Sequence, residues 1–203
     1  MLQHPTPRLV LASASASRRV LLTSAGLTFE VRPADIDETA IKRAARAEGA
    51  SAEAAALRLA GLKAEKVARG EPDAVVIGAD QILVCDGAWF DKPRDVDAAR
   101  EQLRALRGRT HLLVTAVVCY RDAAPVWHDV AVPHLTMRSF SEDFLRHYLA
   151  QEADAVTGTV GAYRVEARGI QLFEAIEGEQ SAVLGLPMLS LLGYLRRIGA
   201  VAI

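Results

Sequence analysis

Two short runs of apolar residues, at positions 9–12 and 74–79, constrain the fold of this chain most strongly. Neither run alternates apolar with polar residues, which is typical of strands that are covered on both faces of a sheet. Between them lies a helical pattern over residues 51–68, rich in Ala and Leu and followed by Gly70. Strands that first alternate with helices and later pair locally indicate an α/β fold with a mixed central sheet flanked by helices.

The second half of the chain predicts a helix over residues 95–106, long strands over residues 111–120 and 126–137, and a helix that begins after Ser141. A turn joins the two long strands, so we expect them to pair antiparallel. At 203 residues and 51% hydrophobic composition the chain can bury one sizeable core. No repeat or linker divides it, and we predict a single domain over residues 1–203.

Composition excludes several classes of function. The formal net charge is -1 and the pI is about 6.5, so no broad positive field would hold a nucleic acid. No apolar run approaches membrane-spanning length, and no basic stretch followed by an apolar core opens the chain; we therefore expect a cytoplasmic protein without a membrane partner. Cys85 and Cys119 lack the paired spacing of a zinc or redox site.

Ser13, Ser15 and Arg18 follow the first predicted strand and precede a predicted helix. Hydroxyl groups, free backbone N–H groups, the positive end of a helix and a guanidinium together suit a phosphate group. The alternative is an ordinary serine cap beside a solvated arginine, which is common. The phosphate-binding motif GxxxxGK[ST] does not occur in the chain.

Two carboxylates, Glu38 and Asp80, each follow a predicted strand: Glu38 in an acidic loop at 35–38, and Asp80 directly after the run at 74–79. With triphosphate oxygens and water they could complete an oxygen shell for Mg²⁺ or Mn²⁺. Such an ion lowers the pKa of a bound water and neutralises developing charge. The alternatives are a turn residue for Asp80 and a solvated loop residue for Glu38. Ligands bind at the carboxyl ends of strands in open α/β sheets, so Ser13 and Asp80 could share one cleft.

Lys63 and Lys92 could bring positive charge to phosphate oxygens. A lysine within a helix, such as Lys63, is more often a solvated residue, whereas Lys92 precedes Pro93 on a rigid loop. Neither HExxH nor GxSxG occurs, which makes a zinc enzyme or a serine hydrolase built on Ser13 a weak hypothesis.

Short motifs occur along the chain in a specific order. They are Leu-Ala-Ser-Ala-Ser at 11–15 with Arg18, Asp-Glu at 37–38, Lys-Ala at 63–64, Gly-Ala-Asp-Gln at 78–81, Asp-Lys-Pro at 91–93, Gly-Ala-Tyr at 161–163, Ile-Glu-Gly at 176–178 and Gly-Leu-Pro at 185–187. In this order, and over nearly the whole chain, the sequence resembles the Maf family of nucleotide pyrophosphatases.

The resemblance implies hydrolysis of a nucleoside triphosphate between its α and β phosphates, with a divalent cation, to remove noncanonical or surplus nucleotides. It implies that Asp80 is the proton acceptor, and our hypothesis for the reaction is in-line attack by a metal-activated water. The resemblance places Ser13 and Arg18 on phosphate-contacting positions, Glu38 on the acidic loop of the family, and Lys63 and Lys92 on its two catalytic lysines. From their chemistry we add Ser15 as a further phosphate contact, and Glu38 and Asp80 as the metal ligands. The resemblance also implies a homodimer, and a cleft between two lobes of an elongated sheet.

Gln81 and Glu166 are the positions that bear on base preference. The resemblance implies that both residues contact the substrate. At these positions the sequence is more similar to the family branch that acts on 7-methylguanosine triphosphate than to the branch that acts on dTTP and UTP. An alternative function uses the same residues to bind a nucleotide in a regulatory protein without turnover.

Overall fold

The computed structural model describes residues 2–153 and 155–202. Within these ranges eight strands occur: β1 (Arg8–Leu11), β2 (Glu30–Val31), β3 (Ala74–Cys85), β4 (Ala88–Phe90), β5 (Thr110–Arg121), β6 (Ala124–Ala131), β7 (His134–Met137) and β8 (Phe173–Glu177). The α-helices of the same ranges are α1 (Ala16–Ser24), α2 (Glu38–Ala47), α3 (Ala52–Ala68), α4 (Val96–Leu106), α5 (Glu142–Glu152), α6 (Gln180–Val183) and α7 (Met188–Arg197). None of the described helices is both long and apolar enough to cross a membrane.

The strands form a mixed sheet in the order β2-β1-β3-β5-β7-β8, with β4 paired to β3 and β6 paired to β5. β1 pairs parallel with β2 and β3, and β5 pairs antiparallel with β6 and β7. This confirms the predicted α/β class with a mixed sheet flanked by helices.

Contacts divide the chain into two compact units. Unit 1 comprises residues 1–81, 115–131 and 179–203, and unit 2 comprises residues 82–114 and 132–178. Our expectation of one domain over residues 1–203 stays a prediction.

In unit 1 the side chains of β1 and β3 alternate between two apolar layers, because successive residues of a strand point to opposite faces. Leu9, Leu11, Val75 and Ile77 pack on one face; the same layer takes in Leu22 of α1 and the buried residues of α7. Val10, Ala12, Ala74 and Val76 pack on the other face against Ala64 and Ala68 of α3. Both faces of these strands are therefore covered, as the continuous apolar runs predicted.

Helix α3 lies very close to β3 at Gly78. A Cβ atom on residue 78 would lie 2.1 Å from the carbonyl oxygen of Ala60 and 2.9 Å from the Cβ of Ala64. Only glycine fits there, and small residues face it from the helix. This contact fixes the distance between α3 and the part of β3 that carries Asp80.

Unit 2 is built on the hairpin of the second part of β3 with β4, on the antiparallel ladder of the first part of β5 with β7 and β8, and on helices α4 and α5. Within it His111 is fully buried, and its Nε2 lies 2.7 Å from the hydroxyl oxygen of Tyr163. Its Nδ1 has no hydrogen-bond partner in the described part of the chain. Burial lowers the pKa of His111 to about 4.

Several sequence-based boundaries were wrong. Strand β3 does not end before Asp80 but continues through it to Cys85, so Asp80 lies inside a strand. The strand predicted at 126–137 is two strands, β6 and β7, which are separated at Val132 and Pro133; proline has no N–H to donate to a ladder. The predicted acidic loop ends in a helix, because Glu38 is the first residue of α2.

We expect Gly78→Ala to lower the free energy of unfolding by about 3 kcal/mol, because the new methyl group meets backbone atoms that cannot rotate away. Gly193→Ala is the matched control, since no heavy atom of the described residues outside the adjacent turns of α7 lies within 4 Å of its Cβ position, and the residue is in the interior of that helix. The control is expected to raise stability by up to about 1 kcal/mol. Urea denaturation measures both; equal effects of the two substitutions would contradict the close packing.

The buried His111 predicts a specific dependence of stability on pH. Its pKa is about 4 when folded and 6.5 when unfolded, so between these values the unfolded chain binds the extra proton. The contribution of His111 is fully present above pH 6.5 and is lost as pH falls toward 4, by about 3 kcal/mol in total. Denaturation midpoints measured from pH 4 to 7.5 should fall less steeply in His111→Gln; parallel curves for the two proteins would refute the assignment.

Candidate active site

Lys63 holds two carboxylates together in unit 1. Its Nζ lies 2.7 Å from Oδ1 of Asp80 and 2.8 Å from Oε1 of Glu38. Lys63 is 5% exposed and Asp80 is 4% exposed, whereas the Glu38 side chain is 46% exposed. The two carboxylates that the sequence singled out therefore meet at one buried ammonium, with Glu38 on the solvent side.

Three different elements position this cluster. Asp80 lies on the face of β3 that Gly78 presents to α3, two residues further along the strand. Lys63 belongs to α3 next to Ala64, which contacts Gly78. Glu38 opens α2, whose first turn is capped by Asp37: the N–H of Ala40 donates to Oδ1 of Asp37 at 2.9 Å.

The electrostatics of the cluster leave one acceptor free. Oδ2 of Asp80 is buried and has no hydrogen-bond partner within the described residues. Burial raises the pKa of Glu38, but the charge and hydrogen bond of Lys63 and the charges of Lys42 and Arg18 together outweigh burial and hold that pKa below its usual value of 4.5. Glu38 is thus kept ionised, and an ionised carboxylate is an acceptor for a cation or a proton.

The turn from Ser13 to Arg18 forms a second cluster in unit 1. Ser15 caps α1, since its Oγ accepts from the N–H of Arg18 at 3.4 Å. Oγ of Ser13 accepts from the N–H of Ser15 at 3.2 Å and from Nη1 of Arg18 at 3.1 Å. The predicted serine cap is confirmed, but Arg18 is not a solvated residue: it is 8% exposed and folds back onto the turn.

Arg18 is anchored from the far end of the chain. Its Nε donates to the carbonyl oxygen of Gly185 at 2.8 Å. Burial lowers the pKa of the guanidinium from its ordinary value, and the charges of Asp80 and Glu38 raise it in part. The two clusters therefore lie within electrostatic range of each other.

The parallel pairing of β1 with β3 explains why these clusters are neighbours. Leu11 is opposite Ile77 in the ladder, and the N–H of Ala12 donates to the carbonyl oxygen of Ile77 at 2.8 Å. Ser13 follows β1 after Ala12, and Asp80 comes three residues after Ile77. That Ser13 and Asp80 share one cleft stays a prediction.

Gln81 lies in the same unit, and its side chain has protein partners. Its Nε2 is 2.8 Å from Oγ1 of Thr115 and 3.0 and 3.1 Å from the carbonyl oxygens of Ala182 and Val183. Lys92 and Glu166, in contrast, are exposed residues of unit 2. Their roles, and a substrate contact of Gln81, stay predictions.

The described residues contain no group of three or more His, Cys, Asp or Glu side chains that could hold a metal ion by themselves. Any cation at Glu38 and Asp80 would need ligands from a substrate and water.

The hydroxyl of Ser13 has an arginine rather than a base as its side-chain partner, and arginine remains protonated in proteins. A serine hydrolase built on Ser13 is therefore disfavoured by its surroundings.

A protein-family profile described as "Maf-like protein" matches residues 8–198. The chain belongs to the Maf family. This confirms the resemblance that the ordered motifs indicated.

Curated relatives match this chain over nearly its whole length. It is 54% identical to a protein of Granulibacter bethesdensis named nucleoside triphosphate pyrophosphatase, over 97% of this chain and 100% of that one. A protein of the same name from Gluconobacter oxydans is 50% identical over 96% of each chain. A protein of Rhizobium etli named 7-methyl-GTP pyrophosphatase is 45% identical, over 97% of this chain and 98% of that one.

Sequence reasoning missed part of the site. Gly185 was recognised only as part of a family motif, and nothing in a single sequence shows that a carbonyl group at 185 holds Arg18. The signal that could have helped is Gly-Leu-Pro at 185–187, because a glycine before a helix start often allows close backbone approach. Lys42, whose charge acts on Glu38, was also missed.

We expect Lys63→Met to lower the free energy of unfolding by about 3 to 5 kcal/mol, because Asp80 is left as a buried charge without its partner. The double variant Lys63→Met/Asp80→Asn should recover most of that loss. Arg58→Met is the control: it removes an ion pair to Glu48 whose side chains are 46% and 58% exposed, at a cost below about 1 kcal/mol. Strictly additive losses in the double variant would contradict the buried pair.

Proposed function

We propose that this Maf family protein hydrolyses nucleoside triphosphates to the nucleoside monophosphate and pyrophosphate. The observation that carries the proposal is the arrangement of Asp80, Lys63 and Glu38 within electrostatic range of Arg18. Carboxylates for a cation, together with fixed positive groups for phosphate oxygens, are what phosphoryl transfer requires. The names of the relatives, pyrophosphatases of nucleoside triphosphates, support the same reaction class.

The Ser13–Arg18 turn is the proposed phosphate cradle. Arg18 brings a buried guanidinium, Ser13 and Ser15 bring hydroxyl groups, and α1 points its positive end to the turn. The guanidinium is held by Gly185 and Ser13 before a ligand arrives. A preorganised donor of this kind stabilises developing charge without reorganising during the reaction.

The carboxylates fit a divalent cation. Oδ2 of Asp80 is a buried oxygen without a hydrogen-bond partner among the described residues, and Glu38 is ionised and half exposed beside it. Oxygen ligands of this type suit Mg²⁺ or Mn²⁺, with substrate and water completing the shell. When bound there, such an ion would neutralise phosphate charge and lower the pKa of a bound water.

The residues of the chain supply the remaining chemistry. Oδ2 of Asp80 accepts a proton from the attacking water, whose oxygen bonds to the α phosphorus as the bond from that phosphorus to the bridging α–β oxygen breaks. Pyrophosphate leaves with the electron pair of that bond. Lys63 keeps the Asp80 side chain in place through Oδ1, which leaves the two lone pairs of Oδ2 for the cation and for the proton. Lys92 is proposed as a further contact to the phosphate chain.

The remaining features are proposals from the family. Glu166 and Gln81 are candidates for substrate contacts, and a homodimer in the cytoplasm is expected. Relatives carry both a general nucleoside triphosphate name and a 7-methyl-GTP name. Screening canonical and methylated nucleoside triphosphates for pyrophosphate release decides which base this chain prefers.

Asp80→Asn tests the proposed reaction. We expect its turnover to fall roughly hundredfold, because the neutral amide neither accepts the proton nor holds a cation. Asp97→Asn, an exposed residue of α4 that pairs with Arg100, is the control and should keep full turnover. Pyrophosphate release is measured with Mg²⁺, with and without EDTA.

Full turnover in Asp80→Asn would refute the proton-acceptor role. Tight binding of nucleoside triphosphate by the unsubstituted protein, without pyrophosphate release under any metal condition, would instead favour a regulatory nucleotide-binding protein.

A further inference from the structure

Gln81 and Arg18 are connected through one short segment of unit 1. The segment, residues 180–185, comprises α6 and the turn to Gly185, and we call it the α6 segment. We propose that Gln81 is a positioning residue: it fixes the α6 segment, and the segment in turn holds the guanidinium of Arg18 in the phosphate cradle. This inference rests on the proposed function and assigns Gln81 to phosphate binding rather than base recognition.

The α6 segment lies directly against Arg18. Nε of Arg18 donates to the carbonyl oxygen of Gly185 at 2.8 Å. A Cβ atom on residue 185 would lie 3.4 Å from Nε and 3.7 Å from Nη2 of Arg18, and Gly185 has a φ of +102°. Any displacement of this backbone therefore moves the acceptor that orients the guanidinium.

Gln81 binds the α6 part of the segment through hydrogen bonds. Its Nε2 is within 3.1 Å of both the Ala182 and the Val183 carbonyl oxygens, and within 2.8 Å of Oγ1 of Thr115. Thr115 donates its own hydroxyl hydrogen to the carbonyl oxygen of Ala182 at 2.9 Å. A primary amide has two N–H groups, so three protein acceptors use the whole donor capacity of Nε2. The amide nitrogen has no donor left for a nucleotide base.

Two bonds make the segment and the start of α7 a stiff unit. The N–H of Met188 donates to Oγ of Ser181 at 3.0 Å, and the N–H of Leu189 donates to Oε1 of Glu179 at 2.9 Å. Leu186 and Met188 are buried in the apolar layer of β1 and β3. When Gln81 restrains the backbone at Ala182 and Val183, it therefore also restrains the backbone at Gly185.

Gln81 acts on a different part of the site from its neighbour Asp80. Successive strand residues point to opposite faces: Asp80 meets Lys63 of α3, whereas Gln81 meets the α6 segment. Loss of the Gln81 contacts should therefore loosen Arg18 and leave the Asp80–Lys63 pair in place.

A positioning role and a base-reading role make different predictions. Every nucleoside triphosphate has the same phosphate chain, so a loosened Arg18 weakens binding of all of them by one factor. A lost contact to the base would instead change the ratio between bases. Inorganic tripolyphosphate, which has no base, separates the two roles without any turnover.

The test uses Gln81→Met, which keeps the length of the side chain and removes the donor, and Thr115→Val, with Thr115→Ser as the conservative rescue. Gln3→Met is the matched control in the same unit: Gln3 donates to the carbonyl oxygen of Thr28 at 2.9 Å and accepts from its N–H at 2.6 Å. Calorimetry gives the Kd for tripolyphosphate with Mg²⁺. Amide and guanidinium NMR gives the exchange rate of the Arg18 Nε–H, assigned by comparison with Arg18→Lys.

We expect Gln81→Met and Thr115→Val to raise the tripolyphosphate Kd about tenfold, the size of effect of one weakened charged hydrogen bond. The ratio kcat/KM should fall by one common factor for GTP, 7-methyl-GTP and dTTP, and the Arg18 Nε–H should exchange faster. Thr115→Ser and Gln3→Met should resemble the unsubstituted protein in all of these.

Unchanged tripolyphosphate binding and Arg18 exchange in Gln81→Met, or an altered ratio between bases, would overturn the inference. If Gln81→Met does not fold, the comparison of Thr115→Val with Thr115→Ser decides it. If the unsubstituted protein cleaves no triphosphate, the proposed function fails, while tripolyphosphate binding and Arg18 exchange still test the positioning role.

Discussion

The shared ammonium of Lys63 is the interaction on which the rest of the site depends. Burying one lysine and one aspartate removes both from water, and such a pair is seldom the most stable filling of a core. The pair forms here because Gly78 has no side chain, so α3 can pack close to β3. This close packing brings Lys63 to hydrogen-bond distance of Asp80. The same ammonium reaches Glu38 at the start of α2. A buried charge cluster that costs stability is typical of a functional site rather than of a cluster that stabilises the fold.

The second half of the site follows the same logic with the opposite charge. Arg18 is buried, and its hydrogen bonds to Ser13 and Gly185 replace those it would make with water. Its neighbours Asp80 and Glu38 are the negative groups that partly offset the cost of burial. Negative and positive groups of the protein thus stabilise each other within the site. A triphosphate with a cation brings both charges at once and can replace this pairing without a large change in local net charge.

Residue patterns were enough to predict the fold class and several local features. The continuous apolar runs predicted buried strands, and the serine caps of α1 and α5 were predicted correctly from oxygen-bearing residues before helical patterns. Strand ends were harder: the carboxylate of Asp80 suggested a strand terminus, but the ladder continues because Lys63 neutralises that charge inside the sheet. Helix α2 was missed because its acidic start resembles a loop. The hold of Gly185 on Arg18 could not be predicted, since it joins residues 167 positions apart through a backbone carbonyl.

In the proposed site, Asp80 and Glu38 face a cation beside a triphosphate that is bound by Arg18. Crystals soaked with Mn²⁺ and an α,β-methylene nucleoside triphosphate test this arrangement through an anomalous difference map recorded at the manganese edge. We expect one strong peak within coordination distance of Oδ2 of Asp80 and of the Glu38 carboxylate, with a phosphate group against Arg18. A manganese peak that touches neither carboxylate while the analogue is bound would contradict it.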